Sequence, residues 1–397
     1  MIGPPDSAHF LAHRLICSTI LWLTDGKPVP LLQLPDCEGA DEVLRIVKRH
    51  GLTSALYSAL AAQCSDAAQR YPKLRREYLT SQLRAVRALE GLRVCVQALQ
   101  TAGVRCIPFK GADYMLRLYA DIGHRFLSDI DLLVQDEDAR RAIETLESVG
   151  YHYEEVPFSA EQEWLDLHYL RGLVLERGTD FPVDLHCNLL RGYGNREVGL
   201  EQMWEQSCTL DHCGFTVEML RLEHAFIVSS VHLYSNYVRA VPYLKDAADL
   251  LLLSRAIEQD GAWDVMWRAA REWDVETAVS GVAAMLNTEL DARIPLHTEV
   301  RHPLSIGALI RLPRTLRGRG RISEYLWTVI RAAKYLPSHS ARLRLVAGFL
   351  FPGAQYLRRR FRADATAPIW KLRLRFLTRG VRRLASDVAL RFVSGRK

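Results

Sequence analysis

The chain has 397 residues, 49% hydrophobic and 25% charged, with a formal net charge of +6. That balance suits a soluble globular protein with room for two or three domains, and no run approaches the ~18 consecutive apolar residues of a membrane-spanning helix. From Arg301 onward 23 Lys and Arg face three acids (Glu324, Asp364 and Asp387), a net +20 that leaves −14 for residues 1–300.

Such asymmetry points to a basic segment with an anionic partner, either nucleic acid or a membrane surface. Met1 to Ser7 has no basic stretch and carries Asp6, which reads against a secretory signal and for an amphipathic helix over Phe10 to Leu23. The eight cysteines (Cys17, Cys37, Cys64, Cys95, Cys106, Cys187, Cys208 and Cys213) include no Cys-x-x-Cys pair. That argues against a zinc site and for reduced thiols in a cytoplasm. Cys106 and Cys187 read as small core residues of strands.

In chain order, residues 1–100 read as a helical region. Ala40 to Arg49, Leu52 to Ala62 and Leu74 to Gln100 carry apolar residues at three- and four-residue spacing. The spacing predicts one buried stripe of Leu79, Leu83, Val86, Leu89, Leu92 and Leu99, ended by Gly103. Residues 101–195 change character. Strands are expected at Arg105 to Phe109, Asp129 to Val134, Tyr151 to Val156, Leu173 to Glu176 and Val183 to Leu190. Helices are expected at Ala112 to Tyr119 and Asp136 to Val149, the mark of a small α/β core. Residues 196–297 return to helical periodicity, clearest at Phe226 to Tyr237, Tyr243 to Ile257 and Asp264 to Trp273. The basic region, 298–397, carries a Gly/Arg loop at Arg317 to Arg321 and helical segments at Ser323 to Tyr335 and Ala341 to Leu350.

The candidate chemistry sits in Ser128-Asp129-Ile130-Asp131-Leu132-Leu133-Val134. Residues two apart on a strand share a face, so Asp129 and Asp131 project together while Ile130 and Leu132 enter the core. Two carboxylates on one face suit hard divalent cations. A third acid, Asp184, lies in the strand-like Val183-Asp184-Leu185-His186. Three converging carboxylates are the set that two-metal phosphoryl chemistry uses. Upstream, Phe109-Lys110-Gly111 ends a strand before a helix. The glycine lets a phosphate approach the backbone at a helix N-terminus, and Lys110 adds a positive charge. Arg125 reads equally as a triphosphate ligand or as the partner of an acid such as Asp121. His186 either orients Asp184 or is a structural histidine, and Ser128 either bonds near the metal or begins the strand. His232 and Asp246 read chiefly as interhelical polar contacts.

Phe109-Lys110-Gly111, Arg125, the Ser128 to Val134 run and Val183 to His186 together resemble the uncharacterised bacterial nucleotidyltransferase family. That family belongs to the DNA polymerase beta-type nucleotidyltransferase superfamily. The resemblance spans about residues 80–260 and is densest over 107–134. It implies an α+β fold with a small mixed-sheet core embedded between helical regions. It also implies transfer of a nucleoside monophosphate from a nucleoside triphosphate to an acceptor, with release of pyrophosphate. Asp129 and Asp131 match the pair that binds two Mg2+ ions and Asp184 the third acid. Lys110, Gly111, Arg125 and Ser128 fall where the nucleotide is held. Lys110-Gly111 replaces the Gly-Ser usual in the superfamily, and the gap to Asp129 is longer than its norm. Nothing selects ATP over other nucleotides.

Basic and apolar residues interleave in Leu357 to Phe361, Trp370 to Leu377 and Val381 to Phe392. The mixture suits an anionic membrane interface better than nucleic acid, with Arg reaching headgroups and Phe, Trp and Leu buried, the plain alternative being a helical face packed on the acidic first 300 residues. The Arg-Leu-Arg alternation leaves strand and helix both open at Trp370 to Leu377. The tail also resembles family members linked to bacterial cell-surface polysaccharide production. The expected place is therefore the cytoplasm, at the inner face of the membrane. Two alternatives are a non-catalytic adaptor on that surface and an RNA-directed transferase.

Overall fold

The computed structural model describes residues 8–29, 40–170, 172–190, 193–212, 214–238, 243–297, 300, 304–311, 333–364 and 366–378. The Gly/Arg loop, most of the 323–335 helix and the 381–392 run lie outside these residues. Two compact units are present, one from Met1–His152 and Leu175–Arg319, the other from Tyr153–Val174 and Gly320–Lys397.

The first unit opens with five helices: α1 (Ala8–Asp25), α2 (Ala40–Arg49), α3 (Thr53–Ala61), α4 (Ala67–Arg70) and α5 (Pro72–Thr101). In α2 the acids Asp41 and Glu42 occupy the first turn and Lys48 and Arg49 the last, which complements the helix dipole. Gly103, at φ +68°, takes the left-handed turn that stops α5.

The predicted stripe on α5 is corrected in part. Leu92 and Leu99 are buried, but Leu79, Leu83 and Val86 are exposed, Leu83 by 61%. The face that packs is built from small residues, Ser81, Ala85, Ala88 and Gly91. A Cβ on Gly91 would stand 3.1 Å from Ile130 Cδ1, so the helix lies close upon the sheet.

A five-stranded mixed sheet follows in the order β1 (Cys106–Pro108), β2 (Ile130–Val134), β5 (Val183–His186), β4 (Leu173–Glu176) and β3 (His152–Tyr153). β1 runs antiparallel to β2, and β2 runs parallel to β5. All of β2 is buried, including both faces of Ile130 to Val134. This is the character of a central strand in a covered sheet. Helices α6 (Gly111–Arg117) and α7 (Ala139–Ser148) join the strands, and α8 (Ala160–His168) stands between β3 and β4 in the chain. The third and fifth strands are shorter than the sequence suggests. Cys106 and Cys187 are both buried.

After α9 (Arg196–Glu205) comes an element that the helical reading of 196–297 missed. It is the antiparallel hairpin of β6 (Cys208–His212) and β7 (Phe215–Met219). Its signal was the alternation in β7, where Phe215, Val217 and Met219 are buried and Thr216 is exposed. Then α10 (Leu222–Val238), α11 (Lys245–Asp260), α12 (Trp263–Glu272), α13 (Glu276–Leu290) and α14 (Ile306–Arg311) complete the unit. Ile16, Phe226, Leu250, Trp267 and Leu286 bring four of these helices into one hydrophobic core with α1.

The second unit holds α8 together with α15 (His339–Leu350), α16 (Ala354–Phe361) and α17 (369–378). Ser159 and Ser338 cap α8 and α15, each accepting a backbone N–H three residues on. Phe158, Leu165 and Leu170 pack against Leu336, Ala341 and Leu345. The Arg-Leu-Arg alternation of 371–377 is helical.

Candidate active site

The parallel register of β2 and β5 sets Asp131 directly beside Asp184 and Leu133 beside His186. In-register neighbours point to the same face, so two residues far apart in sequence bring their carboxylates together. Ligand atoms of Asp131, Asp184 and His186 all lie within 4.8 Å of one another. Asp129, two residues before Asp131, stands at the mouth of β2 and is half-exposed. Ser128 Oγ donates to Asp129 Oδ1 at 3.0 Å.

Two groups compensate the buried Asp131. Lys110 Nζ donates to Asp131 Oδ1 at 2.9 Å, and His186 Nε2 stands 3.4 Å from the same oxygen. Phe109 supports both, lying 5.2 Å edge-on to the His186 ring and 4.6 Å beneath the Lys110 ammonium. Burial opposes ionisation of Asp131, but Lys110 and His186 outweigh it and hold the carboxyl far below the usual carboxylate range. Asp129 moves the other way. Burial and the neighbouring Asp131 charge raise it, against the pull of Lys245 and Lys110. Two carboxylates pushed in opposite directions within one cluster are a frequent mark of a functional site.

Lys110 reaches this position at a backbone cost. It is the residue before α6, at φ +57° and ψ −130°, where a side chain is strained. Gly111 has a steric role in addition to any phosphate role, because a Cβ there would run into Leu127 Cδ2.

Arg125 is buried and does not face the carboxylate cluster with a free hand. Its Nη2 and Nε donate to Asp249 at 2.6 and 2.8 Å, and Nη2 lies 3.7 Å from Asp246. Tyr119 Oη also donates to Asp249, at 2.8 Å. Of the two readings of Arg125, the ion pair is the one observed, with acids of α11 in place of Asp121. His232 Nε2 lies 3.9 Å from Asp246 Oδ2, an α10–α11 contact as read from sequence.

The residue passed over is Lys245, the first of α11. Its Nζ donates to Phe126 O at 3.2 Å, on the loop that leads to Ser128. Its backbone N donates to His50 O at 3.1 Å. Burial, with Arg125 adding repulsion, lowers the ammonium to about 8 although Asp246 and Asp129 attract it. No local spacing links Lys245 to Asp129, so only the packing of α11 against the 126–128 loop brings the Lys245 charge within reach of that carboxylate.

The donor chemistry fits a divalent cation, because Asp131 and Asp184 lie side by side and offer hard oxygens. The third member of that converging set is His186. Asp129, two residues before Asp131, lies outside it and feels the Asp131 charge. The family described as uncharacterised nucleotidyltransferase matches residues 36–290, and the chain belongs to it. No curated protein and no solved structure matches the chain.

Proposed function

We propose that the chain is a Mg2+-dependent enzyme that moves a nucleoside monophosphate from a nucleoside triphosphate to an acceptor hydroxyl. The observation that carries this is the register of Asp131 against Asp184, with Lys110 on Asp131 at the head of α6. Asp129, Asp131 and Asp184 would hold the metal, which when bound neutralises phosphate charge and lowers the pKa of a coordinated oxygen. Asp184 orients the acceptor hydroxyl and takes its proton. The acceptor oxygen bonds to the α-phosphorus while the bond to pyrophosphate breaks, and pyrophosphate leaves with the electron pair. Lys110 and Lys245 supply positive charge to the triphosphate, and Ser128 holds Asp129. Arg125, locked to Asp249, positions α11 and its Lys245 instead of touching the nucleotide. Positioning and charge neutralisation account for such catalysis.

Calorimetric titration with each nucleoside triphosphate, with and without Mg2+, tests the reading beside Asp131→Asn. Metal-dependent binding lost in the variant supports it and names the nucleotide. Absence of binding to every triphosphate favours the adaptor role.

The second unit supports an anionic membrane as partner, at the inner face of the cytoplasmic membrane. No described helix is long and apolar enough to cross a bilayer. Yet α15 turns Leu343, Val346 and Leu350 outward, with Phe351 beside them, and Leu343 is 71% exposed. Their spacing makes one stripe opposite the face that carries Ala341 and Leu345. On α17, Trp370, Leu374 and Leu377 form a second exposed stripe. Residues 333–378 carry ten Lys and Arg against Asp364 alone. Each basic group near an anionic surface adds ~1 kcal/mol of attraction. Vesicle co-sedimentation with and without phosphatidylserine tests this. Binding that needs the anionic lipid and is lost in Leu343→Glu/Trp370→Glu supports it. Binding to RNA with none to vesicles turns the basic region toward an RNA acceptor.

A further inference from the structure

Away from the carboxylates, α1 and α13 bring three metal-ligand side chains to one point. His13 and Cys17 are four residues apart in α1 and share a helix face. Glu289 comes from the last turn of α13. His13 Nε2 lies 2.8 Å from Glu289 Oε2. Cys17 Sγ lies 3.7 Å from the same Nε2. All three ligand atoms fall within 4.8 Å of one another.

That both partners meet one nitrogen decides between readings. A relay of thiol, imidazole and carboxylate needs both ring nitrogens, one toward each partner. Here sulfur and carboxylate converge on Nε2, so the relay fails. One N–H also cannot give each of them a full hydrogen bond. Ligands around a shared centre converge in this way. A tetrahedral zinc, with Zn–N about 2.05 Å and Zn–S about 2.3 Å, holds nitrogen and sulfur about 3.6 Å apart and nitrogen and oxygen about 3.4 Å apart. The sulfur separation already matches. The His13–Glu289 pair needs to open by about half an ångström, the ion taking the place of the proton between them.

The surroundings are those of a prepared site. Glu289 Oε1 accepts the Ile306 backbone N–H at 2.7 Å, which fixes the carboxylate as outer contacts fix metal ligands. The His13 side chain keeps 31% exposure, a path for the ion and for a water.

We propose that His13, Cys17 and Glu289 form a three-ligand site for a borderline divalent cation of the zinc class, with water as fourth ligand. A mixed nitrogen, sulfur and oxygen set discriminates against Mg2+, which takes oxygen alone. Binding releases the thiol proton and the proton held between His13 Nε2 and Glu289, the neutral ring keeping or taking its proton on Nδ1, and joins the metal to thiolate sulfur and Nε2. The ion would fasten α1 to the end of α13 and, through Ile306, to the start of α14. The site stands independently of the transferase reading. No zinc spacing is visible in the sequence because the third ligand lies far from the other two.

The test loads the full chain with Zn2+ or Co2+, removes excess by desalting, and measures metal per chain and the cobalt absorption spectrum. About one tightly held ion per chain is expected, with a sulfur-to-cobalt charge-transfer band. Cys17→Ser and Cys17→Ala should both lose the band while keeping wild-type circular dichroism. His13→Gln should weaken binding by at least the ~10–100-fold that outer-shell changes cost. Asp131→Asn should leave the band unchanged. Substoichiometric metal in the wild type, or a band that survives in Cys17→Ser, overturns the site. So does a band that disappears in Asp131→Asn.

Discussion

Replacing Lys110 with glycine and with methionine separates two opposing effects at one residue. The Lys110–Asp131 pair is mostly enclosed, with side-chain exposures of 14% and 10%. Removing one partner of a buried pair costs ~3–5 kcal/mol, and the nearby His186 puts this case at the lower end. Against that, Lys110 sits at φ +57°, a conformation that costs ~1–3 kcal/mol for a side chain and almost nothing for glycine. Lys110→Gly should therefore lose up to ~2 kcal/mol net, and Lys110→Met, which keeps the strain, ~3 kcal/mol. For a unit of this size each kcal/mol lowers Tm by ~2–4 °C. Thermal unfolding in EDTA should rank wild type above Lys110→Gly above Lys110→Met. Mg2+ should raise both variants more than the wild type, since the ion then supplies the charge that Lys110 gave Asp131. The pH sign follows from the depressed Asp131 carboxyl. Its contribution is complete above the unfolded-state value near ~4 and is lost as pH falls toward the folded value. The gap between wild type and Lys110→Met should close in strong acid. A Lys110→Met protein at least as stable as wild type in EDTA would refute the ion pair's weight.

Three further outcomes are expected. Asp184→Asn removes a carboxylate set beside Asp131; Mg2+-dependent triphosphate binding should fall ~100-fold or more. Wild-type affinity in that variant would break the site. Arg125→Met strands Asp249 and should cost ~3–5 kcal/mol by denaturant unfolding. Much of that loss should return in Arg125→Met/Asp249→Leu; a double variant no better than the single would refute the pairing. His224 is buried against Trp273, and burial lowers its imidazole to about 4. The unfolded chain then binds a proton that the folded one refuses, so stability should decline from pH ~6.5 down to ~4, by about 3 kcal/mol in all. His224→Phe should flatten that slope, and an unchanged slope would assign the acid loss elsewhere.

The legible parts of this fold are those where local pattern and tertiary role coincide. Ile130 and Leu132 alternate with Asp129 and Asp131, so the strand and its acidic face could be read together. Gly103 announced the end of α5 for the same reason. Illegible parts depend on partners remote in sequence. Leu79, Leu83 and Val86 look like core by spacing, but α5 buries Ser81, Ala85 and Ala88 instead and meets Ile130 of β2 at Gly91, because close approach favours small side chains over apolar ones. The strand order that pairs β2 with β5 was likewise invisible, although its acids were named. Lys245 and the Arg125–Asp249 pair depend on where α11 docks, a matter of packing that no motif encodes.

The discontinuous build of the second unit has a consequence during synthesis. Phe158, Leu165 and Leu170 emerge from the ribosome well before Leu336, Ala341 and Leu345, the residues that cover them. At ~5–20 residues per second, the α8 segment waits roughly ten to thirty seconds with an apolar side uncovered. Removing the basic C-terminal region would make that wait permanent. A chain shortened to end after α14 should thus show aggregation and chaperone capture centred on α8, which makes point changes in α15 and α17 the sounder way to ask what the region binds.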